Sequence, residues 1–173
     1  AWDSHKVHDP FTLVRDGQVW LYYKGQPIGW GTQYCRGIGW GVAMADRPEG
    51  PFTKSRLNPV TNSGHETCLF PYKRGVAAIC NHDGPEKDTV QYASDGLNFE
   101  VMAHVVLPPC AGGPFAPDSY SDTKDGQGIT WGLSHISTEE LKTGNSFIVR
   151  FDCNLSRQVE RPGFRRTNIR FEE

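Results

Sequence analysis

Residues 8–23 read His8-Asp9-Pro10-Phe11-Thr12-Leu13-Val14-Arg15-Asp16-Gly17-Gln18-Val19-Trp20-Leu21-Tyr22-Tyr23. An Asp-Gly pair between two strand-like runs is a strong hairpin signal, because both residues tolerate positive φ. The arrangement recurs twice. His65-Glu66 opens a run that reaches Arg74-Gly75 and continues as Val76-Ala77-Ala78-Ile79-Cys80. Pro117-Asp118 opens one that reaches Asp125-Gly126, followed by Ile129-Thr130-Trp131-Gly132-Leu133. Opener and turn glycine are eight residues apart in the first unit (9 to 17), nine in the second (66 to 75) and eight in the third (118 to 126). The glycines themselves are 58 and 51 residues apart. Hairpins repeating near that period predict propeller blades of four strands each. Charged openers at the same place in successive blades would then meet at one central mouth.

Working outward, Gly (19) and Pro (12) punctuate the chain and no long amphipathic helical pattern occurs, which favours an all-β fold. The first unit is expected to hold strands over Phe11–Arg15, Gln18–Lys24, Gly39–Ala45 and Phe52–Leu57. The second holds Cys68–Lys73, Val76–Asn81, Thr89–Ser94 and Phe99–Val106, with Asp95-Gly96 as a hairpin turn. The third is incomplete, with Asp118–Thr123, Gly128–Ile136 and Ser146–Asp152. A propeller needs at least about four blades to close, and these units amount to two and a half to three. The expectation is the C-terminal blades of a larger ring over residues 1–153, with 154–173 as a polar surface extension.

Composition bounds the partners. The 173 residues are 37% hydrophobic and 12% aromatic, enough for a packed core. Five Trp, six Tyr and nine Phe serve mainly to pack sheets, with some available as platforms for a sugar. A formal net charge of −2 argues against a nucleic-acid backbone as partner. No apolar run approaches membrane-span length. The five cysteines, Cys35, Cys68, Cys80, Cys110 and Cys153, include no CxxC, which argues against a structural zinc site. Cys68 and Cys80 fall in strands and read as small buried hydrophobes.

Three strings carry candidate chemistry. In Asn62-Ser63-Gly64-His65-Glu66-Thr67, a His-Glu pair at the head of an apolar strand can present a proton donor and a second carboxylate to a cleft. The competing reading is a capped loop whose Glu takes backbone N–H bonds. In Lys6-Val7-His8-Asp9-Pro10, proline drives Asp9 toward extended geometry, so Asp9 should head its strand. In Pro114-Phe115-Ala116-Pro117-Asp118-Ser119, two prolines stiffen the approach to Asp118. Each Asp could instead satisfy a loop. Asp3, His5, His82, Asp83 and His135 are secondary candidates. His82-Asp83-Gly84-Pro85 reads first as a turn, with Asp83, Glu86 and Asp88 in a solvated loop, and a strand histidine such as His135 is more often a satisfied core residue. A His/carboxylate cluster could bind a divalent cation, but no spacing here is a recognised ligand set.

The strings run in a telling order: Trp2-Asp3-Ser4, Lys6-Val7-His8-Asp9-Pro10, Leu21-Tyr22-Tyr23-Lys24, Gly50-Pro51-Phe52, Asn58-Pro59-Val60, Asn62-Ser63-Gly64-His65-Glu66-Thr67, Asp83-Gly84-Pro85-Glu86, Gln91-Tyr92-Ala93, Gly113-Pro114-Phe115, Asp118, Trp131-Gly132-Leu133-Ser134-His135 and Arg150-Phe151-Asp152-Cys153. Together they resemble glycoside hydrolase family 117, the α-1,3-neoagarobiose hydrolases (3,6-anhydro-α-L-galactosidases). The resemblance implies a five-bladed catalytic propeller that removes terminal 3,6-anhydro-L-galactose from agar-derived oligosaccharides with inversion. It implies that Asp9 is the active-site aspartate that supports the transition state and tunes the acid. His65 matches the general acid, and Glu66 the adjacent carboxylate that contacts substrate or is itself the acid. The family's general base lies in a first blade to which no residue here corresponds, so these residues alone should be inactive.

The expected site is therefore catalytic Asp9, His65 and Glu66, with His8, Asp118, His135 and Trp131 contacting the sugar. No organic cofactor is expected. A metal accompanies the active site in some family members, so a divalent cation stays open, without placed ligands. The resemblance also implies a homodimer of the longer protein, in the periplasm or cytoplasm of a polysaccharide-degrading bacterium. The alternatives are a related arabinofuranosidase or xylosidase, which commonly uses a Glu acid without the His, and a non-catalytic sugar-binding propeller, which could dispense with Asp9 or Glu66.

Overall fold

A computed structural model describes residues 1–28, 38–81, 83–105, 108–136 and 146–156. Cys35, His82, Val106 and residues 157–173 of the expected extension lie outside the described residues. The described chain is all-β and contains no helix. Its strands are β1 (Lys6–Arg15), β2 (Gln18–Gln26), β3 (Gly39–Ala45), β4 (Thr53–Lys54), β5 (Glu66–Lys73), β6 (Gly75–Asn81), β7 (Thr89–Ala93), β8 (Glu100–His104), β9 (Gly113–Pro114), β10 (Gly126–Gln127), β11 (Trp131–Ile136) and β12 (Phe147–Asp152).

These strands form three antiparallel sheets, ordered β1-β2-β3-β4, β10-β5-β6-β7-β8 and β12-β11-β9. The β1–β2 hairpin turns at Asp16-Gly17, where φ is +52° and +74°. Two consecutive positive φ values match the right-handed twist of the flanking strands, and Asp-Gly supplies them at low steric cost. At Asp95-Gly96 the Asp95 carboxylate accepts the Leu97 and Asn98 amides, each at 2.8 Å.

The sheets bury their faces against one another. Leu13, Trp20, Tyr22, Trp40 and Val42 of the first sheet pack on Leu69, Val76, Ala78 and Cys80 of the second. The second sheet's opposite face, with Cys68, Phe70, Ala77, Ile79 and Val90, packs on Ile129, with Phe151 and Cys153 of the third sheet's side at its edge. The middle sheet is thus covered on both faces, and every residue of β6 is buried. That explains its unbroken apolar run, where a strand with one wet face would alternate. Cys68 and Cys80 are buried as expected, and burial pushes both thiols up to about 12.

Three local expectations fail. The Asp118–Thr123 stretch is a series of turns, closed by Ser119 N–H to Ala116 O (3.2 Å) and Ser121 N–H to Asp118 O (3.2 Å). Its Asp122 has φ +49° and accepts the Asp16 and Gly17 amides, so the segment caps the first hairpin. The third Gly-centred turn is not a hairpin within its own unit: Gly126-Gln127 adds a short edge to the second sheet, opposite Lys73 and Tyr72. Finally, Asp9 does not head its strand in extended geometry. It lies inside β1 at a bulge with φ +53°, between His8, which pairs with Lys24, and Phe11, which pairs with Tyr22.

Phe70 is fully buried between the second and third sheets. Phe70→Ala removes those contacts and leaves a cavity, so it is expected to cost about 3–5 kcal/mol of stability. Chemical denaturation at neutral pH, comparing midpoints at equal slope, measures it.

Candidate active site

The bulge in β1 creates the site's first part. Asp9 and Pro10 together stand opposite Tyr23, one residue too many for the ladder. The Asp9 carboxylate pairs through Oδ2 with the Lys24 ammonium, while its Oδ1 lies 3.3 Å from His8 Nδ1. Lys24 also donates to the His65 carbonyl at 2.8 Å. Its side chain is 1% exposed, so a cation is held out of water between two sheets by a carboxylate and a carbonyl.

The second part is the loop that leads into β5. Gly64 has φ +98°. Its carbonyl accepts Trp40 Nε1–H (2.6 Å) and Thr67 Oγ1–H (2.9 Å), and its amide donates to Asp83 O (3.1 Å). A side chain at position 64 would strike Thr67 Oγ1. Glycine is therefore required before His65, and it docks the loop on the segment after β6. There the Asp83 carboxylate, itself at φ +45°, faces His65 Nδ1 at 3.3 Å. Glu66 Oε1 lies 3.6 Å from His65 Nε2, too long for a hydrogen bond. The imidazole thus has a carboxylate at each nitrogen, and all three side chains are partly exposed.

Burial pushes the Asp9 carboxyl up, but the hydrogen bond and charge of Lys24, with His8 and His65 nearby, hold it below its ordinary 3.8. Burial and the Lys24 charge push His8 below 6.5, against the pull of Asp9. Asp9 is accordingly a fixed anion whose oxygens are both engaged. That suits stabilising positive charge and does not suit donating a proton.

The other expected residues are elsewhere. Asp118 Oδ2 accepts the Gln127 amide at 2.8 Å, and Gln127 pairs with Tyr72 at the end of β5 remote from Glu66. Six residues of strand separate those ends, about 20 Å. Asp118 therefore belongs to the Asp16-Gly17 end and does not join Asp9 and His65. Trp131 opens β11, stacked on Phe115 (4.9 Å, 16°), with the Arg150 guanidinium 4.9 Å from its ring centroid. Its ring is thus covered by protein groups. His135 is nearer the cluster: its Nε2 lies 3.8 Å from Cys110 Sγ, and Pro108 and Pro109 beside Cys110 accept from Asn81, which pairs with Glu66. Asp3 is structural, bonded to Tyr23 and Lys54. Among the described residues no three His, Cys, Asp or Glu side chains are placed to hold a metal ion.

One member of the cluster, Lys24, was not singled out by sequence. Lys24 had a visible signal: Trp20, Tyr22 and Lys24 alternate on one face of β2, so a lysine sat where the pattern demanded burial. Asp83 was a secondary candidate whose Asp-Gly-Pro context reads first as a turn, and the structure sets it against His65.

No family model matches the chain, and no curated protein matches it. Among solved structures it is similar to Zg3597, a family 117 glycoside hydrolase produced by the marine bacterium Zobellia galactanivorans, with 42% identity and a TM-score of 0.77. The match covers 99% of this chain and 51% of that one, so the chain spans about half the length of this relative. In both fold and sequence, then, the chain is similar to one half of a family 117 glycoside hydrolase.

The pH dependence of stability follows from the Asp9 shift. A carboxyl held below 3.8 in the folded state contributes stability at pH values above 3.8 and loses it as pH falls through the folded value. Asp9→Asn is expected to melt below wild type at pH 7, with the gap closing from about pH 4 downward. Thermal melts of both proteins from pH 7 to pH 3 measure it.

Proposed function

We propose that the protein hydrolyses the glycosidic bond of terminal 3,6-anhydro-L-galactose in agar-derived oligosaccharides such as neoagarobiose, with inversion. On this reading the three sheets are blades of a five-bladed propeller. The observation that carries it is the meeting of Asp9 of the first sheet and His65, just ahead of the second, around one buried ammonium in a chain similar to a family 117 hydrolase. Strand ends from successive blades around a funnel converge in this way.

The side chains divide the work. His65 donates a proton from Nε2 to the leaving oxygen while Asp83 holds Nδ1 and fixes the ring plane. Glu66, beside Nε2, contacts the sugar or is itself the donor. Asp9 stays ionised and stabilises the oxocarbenium-like centre. His8 and His135 complete the sugar-facing set, while Asp118 and Trp131 are withdrawn from it. Inversion also needs a base roughly 6.5–9.5 Å from the acid, on the other face of the ring. That base is to be sought in the half of a family member's length that these residues do not span. The 173 residues by themselves are then expected to give no turnover of neoagarobiose, measured by release of the anhydro sugar.

In the natural full-length polypeptide, His65→Ala should cut turnover of the disaccharide by about 10²–10⁴-fold. An aryl glycoside with an activated leaving group should suffer far less, since its departure needs little protonation. Asp9→Asn should impair both substrates. Equal losses on both for His65→Ala would remove its acid role. Should Glu66→Gln alone show the leaving-group-dependent loss, the donor is Glu66.

A further inference from the structure

We infer that Lys24 is the positioning residue of this site: it binds the Asp9 carboxylate of β1 and the His65 carbonyl ahead of β5, and so fixes the two openers against each other across the gap between sheets. This rests on the glycosidase reading above and adds to it a residue that does not itself act on the sugar.

Three observations converge on Lys24. It is 1% exposed, a rare state for lysine that persists only when the charge is paired. Its two partners belong to different sheets, so one ammonium sets a distance that no hydrogen bond within a sheet could set. One of those partners sits on the bulge, where the Asp9 backbone is at φ +53° and side-chain contacts must help hold it. The second partner is a backbone carbonyl, so Lys24 reaches His65 through its main chain. Lys24 thereby positions His65 without competing for its ring nitrogens, which face Asp83 and Glu66.

The charged and titratable groups around Asp9 are His8 on its own strand, Lys24 on β2 and His65 ahead of β5, with Lys6 acting on His8. Glu66 and Asp83 stand beyond His65. His8 is held toward its neutral form, so Lys24 is the fixed positive charge in contact with Asp9. Without it, Asp9 keeps partial burial and loses its main counter-charge, and its proton should bind at higher pH.

The test uses the natural full-length polypeptide carrying Lys24→Met, Lys24→Gln or Lys24→Arg. The Asp9 carboxyl is followed by carbon-13 NMR against pH, and kcat and KM on neoagarobiose are measured across the same range. In Lys24→Met the Asp9 midpoint is expected to rise by about one pH unit or more. The acid limb of kcat should move with it, KM should change little, and Lys24→Arg should return both toward wild type. In an Asp9→Asn background the Lys24→Met effect on kcat should vanish, because the two residues act as one unit. If Lys24→Met does not fold, Lys24→Gln takes its place. An unmoved Asp9 midpoint in a folded variant, or an unmoved acid limb with lowered melting temperature alone, overturns the proposal and leaves Lys24 as a structural tie. Should wild type turn over no glycoside, a shifted midpoint still supports the placement of Asp9 by Lys24 and overturns only the glycosidase reading.

Discussion

Everything in this chain is organised by the middle sheet being covered on both faces. Val76, Ala78 and Cys80 point to the first sheet, and Ala77 and Ile79 to the third. Small side chains at this layer let the three sheets approach closely, while the large ones, Trp20, Trp40, Tyr22 and Phe70, come from positions facing it or beside it. Once those faces are sealed, the ends of the strands are the remaining place for polar chemistry. The two ends then diverge. One gathers Asp9, His65, Glu66 and Asp83. The other gathers the turns, with Asp122 and Asp118 spending their carboxylates on backbone amides.

The cluster end shows how a polar site survives beside an apolar core. The Lys24 ammonium could not remain buried without partners, and the partners it takes come from two different sheets. The loop before β5 is clamped from three directions, by Trp40, by Thr67 and by the Asp83 backbone. His65 is therefore carried on a rigid support although its ring is partly exposed. Rigid backbone under a partly solvated imidazole is what a proton donor needs.

Much of this was legible in the residues. The Asp16-Gly17 and Asp95-Gly96 turns, the strand over Gly39–Ala45 and the strands flanking Arg74-Gly75 follow from turn chemistry and apolar runs, and the structure places them where those signals lie. The even spacing of openers was a weaker guide. It held for Asp9 and His65, whose strands lie in sheets that share a core. It failed for Asp118, because Asp-rich turn sequence caps a neighbouring hairpin as readily as it starts a strand. The bulge at Asp9 was out of reach for a different reason. Proline sets a local preference for the residue before it, and here the bulge with its ion pair to the buried Lys24 ammonium of the neighbouring strand departs from that preference. Lys24 was visible in the alternation of β2 yet looked like the end of a strand.

The bulge also changes which side chains β1 shows to which side. Phe11 and Leu13 share the face of Trp20 and Tyr22 and serve the core. Beyond the extra residue the parity inverts: His8 lies opposite Lys24 and shares its face, and Val7 turns outward, 57% exposed. A single inserted residue thus splits one strand into two reading frames, one written for packing and one for chemistry. Substitutions on either side of it can accumulate independently. A sheet so divided can exchange the reactive groups at its mouth while the pattern that folds it stays untouched.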